Sequence, residues 1–180
     1  MMSLSLQEVL RHAARPLAAG ALIASISMTA EAQGAAPTTV TFTGGRGNIS
    51  NTVAIPANAA VVWTSGTVPG VADASAPAGS RARYGDTRTQ AVSVLTAIEN
   101  RLKEHGLTMK DVVYLRAYLV PDKEKNNTID TQGWNEAYGQ FFNNANNPVK
   151  PARSTVGVHS LVSADWLVEV EAFAVYPPKP

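Results

Sequence analysis

One arginine and two glutamates stand where a plain sheet has no use for them. Arg153 opens the segment 150–158 directly behind Pro151, and Glu169 and Glu171 interrupt the apolar run 167–175. Both segments alternate β-branched or aromatic residues with polar or small ones at period two, which predicts strands. Eight residues separate them, Ser160, Ser163 and Asp165 among them, so a hairpin is the simplest connection. Period two places Glu169 and Glu171 on one face and Val168, Val170 and Ala172 on the other. Two readings of the charges stay open on these residues alone. Arg153 pairs with Glu169 or Glu171 across the hairpin, or the charges line a seam and belong to a site.

The chain has 180 residues, 45% of them hydrophobic, with a net charge of +1. That suffices for a real core in one domain. So small an imbalance argues against nucleic acid or a membrane surface as partner. There is no cysteine, which removes disulfides, thiolate nucleophiles and sulfur-ligated metals. His105 ends a helix and His159 a strand; with His12 in the leader, these two cannot assemble a metal set.

The leader comes first. Arg11, His12 and Arg15 precede an apolar run over residues 17–28, and Ala30-Glu31-Ala32 supplies the small residues a signal peptidase reads. The run is short of the about 20 residues a spanning helix needs. This predicts a secretory signal over 1–32 cut after Ala32, a linker and first strand over 33–48, and a domain over 49–180. The product is then secreted or periplasmic, with no membrane association after cleavage. An uncleaved amphipathic helix or lipid-surface anchor is the alternative.

The elements that must position the charged residues follow in order. Strands are expected near 40–43 and 49–55, with Gly44-Gly45-Arg46-Gly47-Asn48 as a turn, since no helix follows it to make a phosphate cradle. Residues 59–66 read as a central buried strand, and 67–80 as a loop. A helix capped by Asp86 or Thr87 carries Ala91, Val94, Leu95, Ile98 and Leu102 inward and ends at Gly106. Arg88, Gln90, Glu99, Arg101 and Lys103 mostly take its other faces. A long strand over 112–120, a charged loop, and a helix over 129–142 with Trp134, Ala137, Tyr138 and Phe141 inward complete the set. Within the loop, Asn126-Asn127-Thr128 fits a glycosylation acceptor, relevant to a eukaryotic secretory route.

The order is therefore β-β-β-α-β-α-β-β, an α+β fold with a single mixed β-sheet and two helices packed on one face. Nothing is left to cover the other face, so burial against copies of the same chain is the natural remedy, with sites at the seams.

These residues resemble the Rid family, also called YjgF-like or reactive-intermediate deaminases. The likeness rests on Val62-Trp63-Thr64-Ser65-Gly66-Thr67-Val68-Pro69, Gln90-Ala91, the stretch 107–120, Trp134-Asn135-Glu136-Ala137-Tyr138-Gly139-Gln140-Phe141-Phe142, Lys150-Pro151-Ala152-Arg153-Ser154-Thr155-Val156 and Val168-Glu169-Val170-Glu171-Ala172-Phe173-Ala174-Val175. It implies a chorismate-mutase-like homotrimer with clefts between subunits, and hydrolysis of 2-imino or enamine acids to 2-keto acids and ammonia. By the same resemblance Arg153 holds the substrate carboxylate, Glu169 orients or activates water, and Ser65, Asn135 and Thr155 bind substrate. No metal or organic cofactor is implied, because an imine carbon is already electrophilic; the partners are a small imino or keto acid and other copies of the chain.

Three departures bear on that transfer. Thr155 stands where many members have cysteine, the tyrosine many carry before the first core strand has no match over 47–55, and the loop 121–132 is longer than usual. Each site residue also has a plainer reading: Asn135 as helix surface, Ser65 as a strand end, Glu169 as the arginine's partner in an empty cleft. A non-catalytic trimer binding small carboxylates is the alternative function. An endoribonuclease is a weaker one, since RNA binding wants a basic footprint.

Overall fold

A computed structural model describes residues 35–178, so the predicted leader over 1–32 lies outside the described residues. In chain order the elements are β1 (Thr41–Thr43), β2 (Thr52–Ala54), β3 (Val61–Trp63), α1 (Arg81–Tyr84), α2 (Thr87–Glu104), β4 (Val112–Leu119), α3 (Thr131–Phe141), β5 (Ala152–Gly157) and β6 (Val168–Val175). Short 3-10 turns at Met109–Asp111 and Lys123–Lys125 flank β4. The short α1 was not legible in the sequence.

Four strands form a mixed sheet in the order β3-β6-β4-β5, and both longer helices pack on one face of it. β1 and β2 form their own antiparallel ribbon instead of joining that sheet. Inward residues Leu115, Ala117 and Leu119 of β4 and Val168, Val170, Ala172 and Ala174 of β6 meet the helices and are buried. The predicted alternation along β6 holds, with Glu169 and Glu171 on the open face.

The hairpin expectation fails. β5 runs parallel to β4, with Leu115 opposite Arg153 and Ala117 opposite Thr155. β6 is antiparallel to both β3 and β4 and lies between them. The physical reason is the crossover: α3 carries the chain from β4 back to start β5 in the same direction, as parallel pairing requires. β6, apolar at every second position and buried on that side, then takes a central place. Consequently Arg153 faces neither glutamate. Glu171 sits opposite Arg116, 3.6 Å from its Nη1.

A second expectation also fails. β3 is an edge strand, not a central one. Val61 and Trp63 stay 47% and 64% exposed because both point to the open face, where the Trp63 ring stacks on Phe173 at 4.1 Å.

The helices begin and end for local reasons. Asp86 accepts the Thr89 N–H at 2.8 Å at the start of α2. At its end Gly106 adopts φ +71°, and the Leu107 and Gly106 N–H groups close onto the Leu102 and Lys103 carbonyls at 2.9 and 3.0 Å. The predicted stripe Ala91, Val94, Leu95, Ile98 and Leu102 is fully buried. α3 starts at Thr131 and not at Ile129, because Asp130 is the cap, accepting the Gly133 N–H at 2.9 Å. Trp134, Ala137 and Tyr138 are buried as expected, but Phe142 is the fully buried phenylalanine and Phe141 only partly so.

Gln90 is corrected from surface to core. It is fully buried, its amide donates to the Gly85 and Asp165 carbonyls at 3.1 and 3.0 Å, and its oxygen accepts the Leu167 N–H at 2.7 Å. One side chain thereby joins the start of α2 to the approach of β6. The long loop after β4 is tied down similarly. Asp122, fully buried, takes a bidentate fork from Arg81 at 2.5 and 2.7 Å, and Lys125 reaches Asp130 at 2.6 Å.

Two stability tests follow from these clasps. Gln90→Ala orphans three backbone groups and is expected to cost about 2–3 kcal/mol, read as a fall of roughly 5–10 °C in the thermal midpoint. The Arg81 fork holds the Asp122 carboxyl below its ordinary 3.8, against burial, which pushes it up. A depressed carboxylate stabilises the fold above the unfolded value and loses that contribution as pH falls through the lowered one. Hydrogen-exchange protection of the loop 121–130 is therefore expected to persist at neutral pH and to be lost below about pH 4. In Asp122→Asn, which keeps an acceptor but loses the charge, protection is expected to be weaker at neutral pH and to lose this acid dependence.

Candidate functional site

Arg153 leaves β5 on the helix side, in register with core residue Leu115. Its guanidinium carbon lies 4.3 Å from the centre of the Tyr138 ring and 5.5 Å from that of Trp134. These two residues are one helical turn apart on α3, so they make one aromatic floor under the cation. Nη2 donates to Asn135 Oδ1 at 3.2 Å. Nε and Nη1 are buried and hydrogen-bond to nothing among the described residues. No carboxylate pairs with Arg153 among them either.

The electrostatics follow from that setting. Burial pushes the Arg153 pKa down; an arginine nonetheless stays charged. Burial raises Tyr138 to about 12, so its hydroxyl is a neutral donor, given to the Asn48 carbonyl at 3.1 Å. A partly desolvated cation with free N–H groups and no anion is a standing demand for a carboxylate. Thr155, opposite Ala117, follows Arg153 on the same side of β5 and is exposed. The structure thus brings Arg153 and Asn135 into contact and places Thr155 two residues along the same side of β5.

Ser65 and Glu169 form a second group. The chain bonds to β6 at Thr64 with Ala172 and at Thr67 with Val170. Two residues, Ser65 and Gly66, therefore face the single Glu171, which is a bulge. The Glu169 side chain lies against Gly66 so closely that a Cβ there would collide with Oε1. A side chain there would push the flexible Glu169 carboxylate out of this position. Thr67 Oγ1 donates to the Ser65 carbonyl at 3.2 Å and accepts from Arg101 Nη1, which fixes the turn from behind. An open cleft of about 480 Å³ borders this group, lined by Trp63, Ser65, Gly66, Arg101, Glu104 and His105.

The two groups are not brought together within one chain. Ser65 follows edge strand β3 and Arg153 lies on the other edge, β5. Three strand spacings separate these edges, about 14 Å, and Glu169 projects from the face opposite to Arg153. No group of three or more His, Asp or Glu side chains suited to a metal exists among the described residues.

Reasoning from sequence missed four participants around Arg153. Tyr138 and Trp134 were read only as core, although positions 134, 135 and 138 share one helical face with Asn135, a legible spacing. Asn48 donates to Asn135 Oδ1 at 3.4 Å, and Lys150 Nζ donates to the Gly47 carbonyl at 3.2 Å. Those contacts span 87 and 103 residues, which no local pattern signals.

Comparison with known proteins agrees with this layout. The model of the family described as Endoribonuclease L-PSP matches residues 48–176. RutC family proteins of Pyrococcus abyssi and Pyrococcus horikoshii are 37% and 36% identical over 90 residues, half of this chain. The chain spans 62% and 63% of the length of these curated relatives. Among solved structures, a Rid-family protein of unknown function from Yersinia pestis superposes with a TM-score of 0.53 at 27% identity, over 72% of this chain and 87% of that one. A protein from Vibrio vulnificus described as a translation initiation inhibitor gives 0.50 at 33%, over 68% and 85%. The match over residues 48–176 and the shared fold together establish that the chain belongs to the Endoribonuclease L-PSP family, the YjgF or Rid proteins.

Proposed function

We propose that the protein hydrolyses reactive 2-imino and enamine acids to 2-keto acids and ammonia, in clefts between the subunits of a homotrimer. The observation that carries this reading is the Arg153 guanidinium, stacked on Tyr138 with two nitrogens unpartnered and no acid beside it. Such a fork takes the carboxylate of the substrate. The reaction then needs little more. Water adds to the imine carbon, the carbinolamine nitrogen gains a proton, and the C–N bond breaks to give a carbonyl and ammonia. Glu169 orients the water and moves the proton, while Ser65, Asn135 and Thr155 hold the substrate in place. Hydrolysis of C=N to C=O consumes one water and no redox equivalent.

The separation of the two groups supports a site shared between chains. A small imino acid is shorter than the about 14 Å between the sheet edges, so Arg153 of one copy would meet Ser65 and Glu169 of another. The exposed Trp63 and Val61 on the open face favour burial against a copy as well. Export through the predicted leader would present the enzyme with imines formed outside the cytoplasm, such as products of amino-acid oxidation. The endoribonuclease of the family's name finds little support here, because a net charge of +1 offers no basic footprint.

Turnover of 2-imino acids generated in situ by an amino-acid oxidase tests the reading. Arg153→Ala is expected to lower kcat/KM by about 10²–10³. Glu169→Ala is expected to lower kcat more than it changes KM. Mixing the two inactive variants during subunit exchange should restore about a quarter of the activity, since one seam in four then pairs an intact Arg153 with an intact Glu169. No recovery on mixing, with exchange confirmed, would place the site within one chain. Ligand binding without turnover would select the non-catalytic carboxylate-binding trimer.

A further inference from the structure

The turn 44–48 and the residue before Pro151 add positive charge beside Arg153. Tyr138 pins the turn through the Asn48 carbonyl, Asn48 binds Asn135, and Lys150 Nζ caps the neighbouring Gly47 carbonyl at 3.2 Å. The Lys150 ammonium is thereby held against the same turn whose next residue touches Asn135, itself bonded to Arg153. Arg46 lies in that turn too and is exposed. None of Arg46, Lys150 and Arg153 has a carboxylate partner among the described residues.

The one acid adjoining Asn135 is engaged elsewhere. Glu136 takes Arg88 at 3.5 Å and the Gln132 amide at 2.9 Å. The contacts that link the two cations run through the Asn48 and Asn135 amides and Tyr138, all of them neutral. Neutral groups do not cancel the field of the cations, and partial exclusion of water strengthens it. A substrate with a single carboxylate would satisfy Arg153 and leave Lys150 in place on Gly47. A substrate with a second anionic group would meet an ammonium on a flexible four-carbon stem, able to leave a carbonyl for a carboxylate.

We infer that Lys150 is a specificity-determining residue and that the Arg153 pocket prefers acids bearing a second negative group, dicarboxylic 2-imino acids and their 2-keto products. This rests on the reading of Arg153 as carboxylate anchor. Arg153 takes the carboxylate next to the reacting carbon, and Lys150 takes the distal one.

Calorimetric binding of 2-oxoglutarate and 2-oxobutyrate to the purified protein tests the inference without requiring turnover. In the wild type the dicarboxylate is expected to bind about five-fold tighter, the gain typical of one partly exposed ion pair. The preference should shrink toward unity as ionic strength rises from about 0.02 M to 0.2 M. Lys150→Gln should abolish the preference and Lys150→Arg should keep it, a pattern that mere loss of the Gly47 contact would not produce. Equal binding of both acids by the wild type, with both dependent on Arg153, overturns the second anchor and leaves the Arg153 reading standing. A preference that survives in Lys150→Gln overturns it equally. Failure of both acids to bind in an Arg153-dependent way overturns the anchor and the inference together.

Discussion

The position of β6 between β3 and β4 governs the rest of the molecule. As a central strand it must bury one side fully, and Val168, Val170, Ala172 and Ala174 do so against both helices. Its other side is then committed to the open face, where Glu169 and Glu171 stand in line with Phe173. The same placement sends β5 to the far edge, in parallel with β4, and turns Arg153 toward α3. A hairpin between β5 and β6 would have set the arginine beside the acids and joined them as an ion pair. The crossover prevents that pairing and leaves Arg153 with nitrogens still to bind.

The Arg153 environment shows how a cation is kept available. Removing a guanidinium from water is costly unless other groups compensate. Here the compensation is the Tyr138 face and one bond to Asn135, with Nε and Nη1 left over. A glutamate in that place would satisfy the arginine permanently and compete with any substrate. An aromatic floor stabilises the charge while leaving the fork open, and its rigidity on a packed helix fixes where the fork points. Asn135 is held from the other side by Asn48, so the amide beside the fork is oriented before any ligand arrives.

The open face of the sheet has a different character. Trp63, Phe173 and Tyr114 form an aromatic row, with Tyr114 edge-on to Phe173 at 5.6 Å. Arg116 and Glu171 form a loose pair at 3.6 Å, and Glu171 Oε2 has no hydrogen-bond partner. A monomer in water gains little from aromatic rings held this way. A second sheet laid against them would bury apolar area at about 25 cal/mol per Å² and tighten the Arg116–Glu171 pair by excluding solvent. The bulge at Ser65–Gly66 lies beside this face, and the Glu169 carboxylate rests against Gly66 there.

Much of this was legible in the residues themselves. Periodicity located α2, α3, β4, β5 and β6, the Asp86 and Gly106 termini, and the split of β6 into an apolar and an acidic side, because these depend on contacts a few residues apart. The α+β class followed from the order of those elements, and the family from its motifs. Strand order did not follow, since a period of two says which side a residue faces and nothing about which strand lies beside it. β3 therefore passed for a central strand, and Arg153 for a neighbour of Glu169. Gln90 read as surface because its partners, Gly85, Asp165 and Leu167, are brought to it only by packing. By itself, the sequence determined which residue types were available for chemistry and which local elements carry them. The tertiary structure alone decided that Arg153 meets Tyr138 and Asn135 instead of an acid, and that Ser65 and Glu169 lie on another edge and face, because those distances are set by sheet order and a parallel crossover.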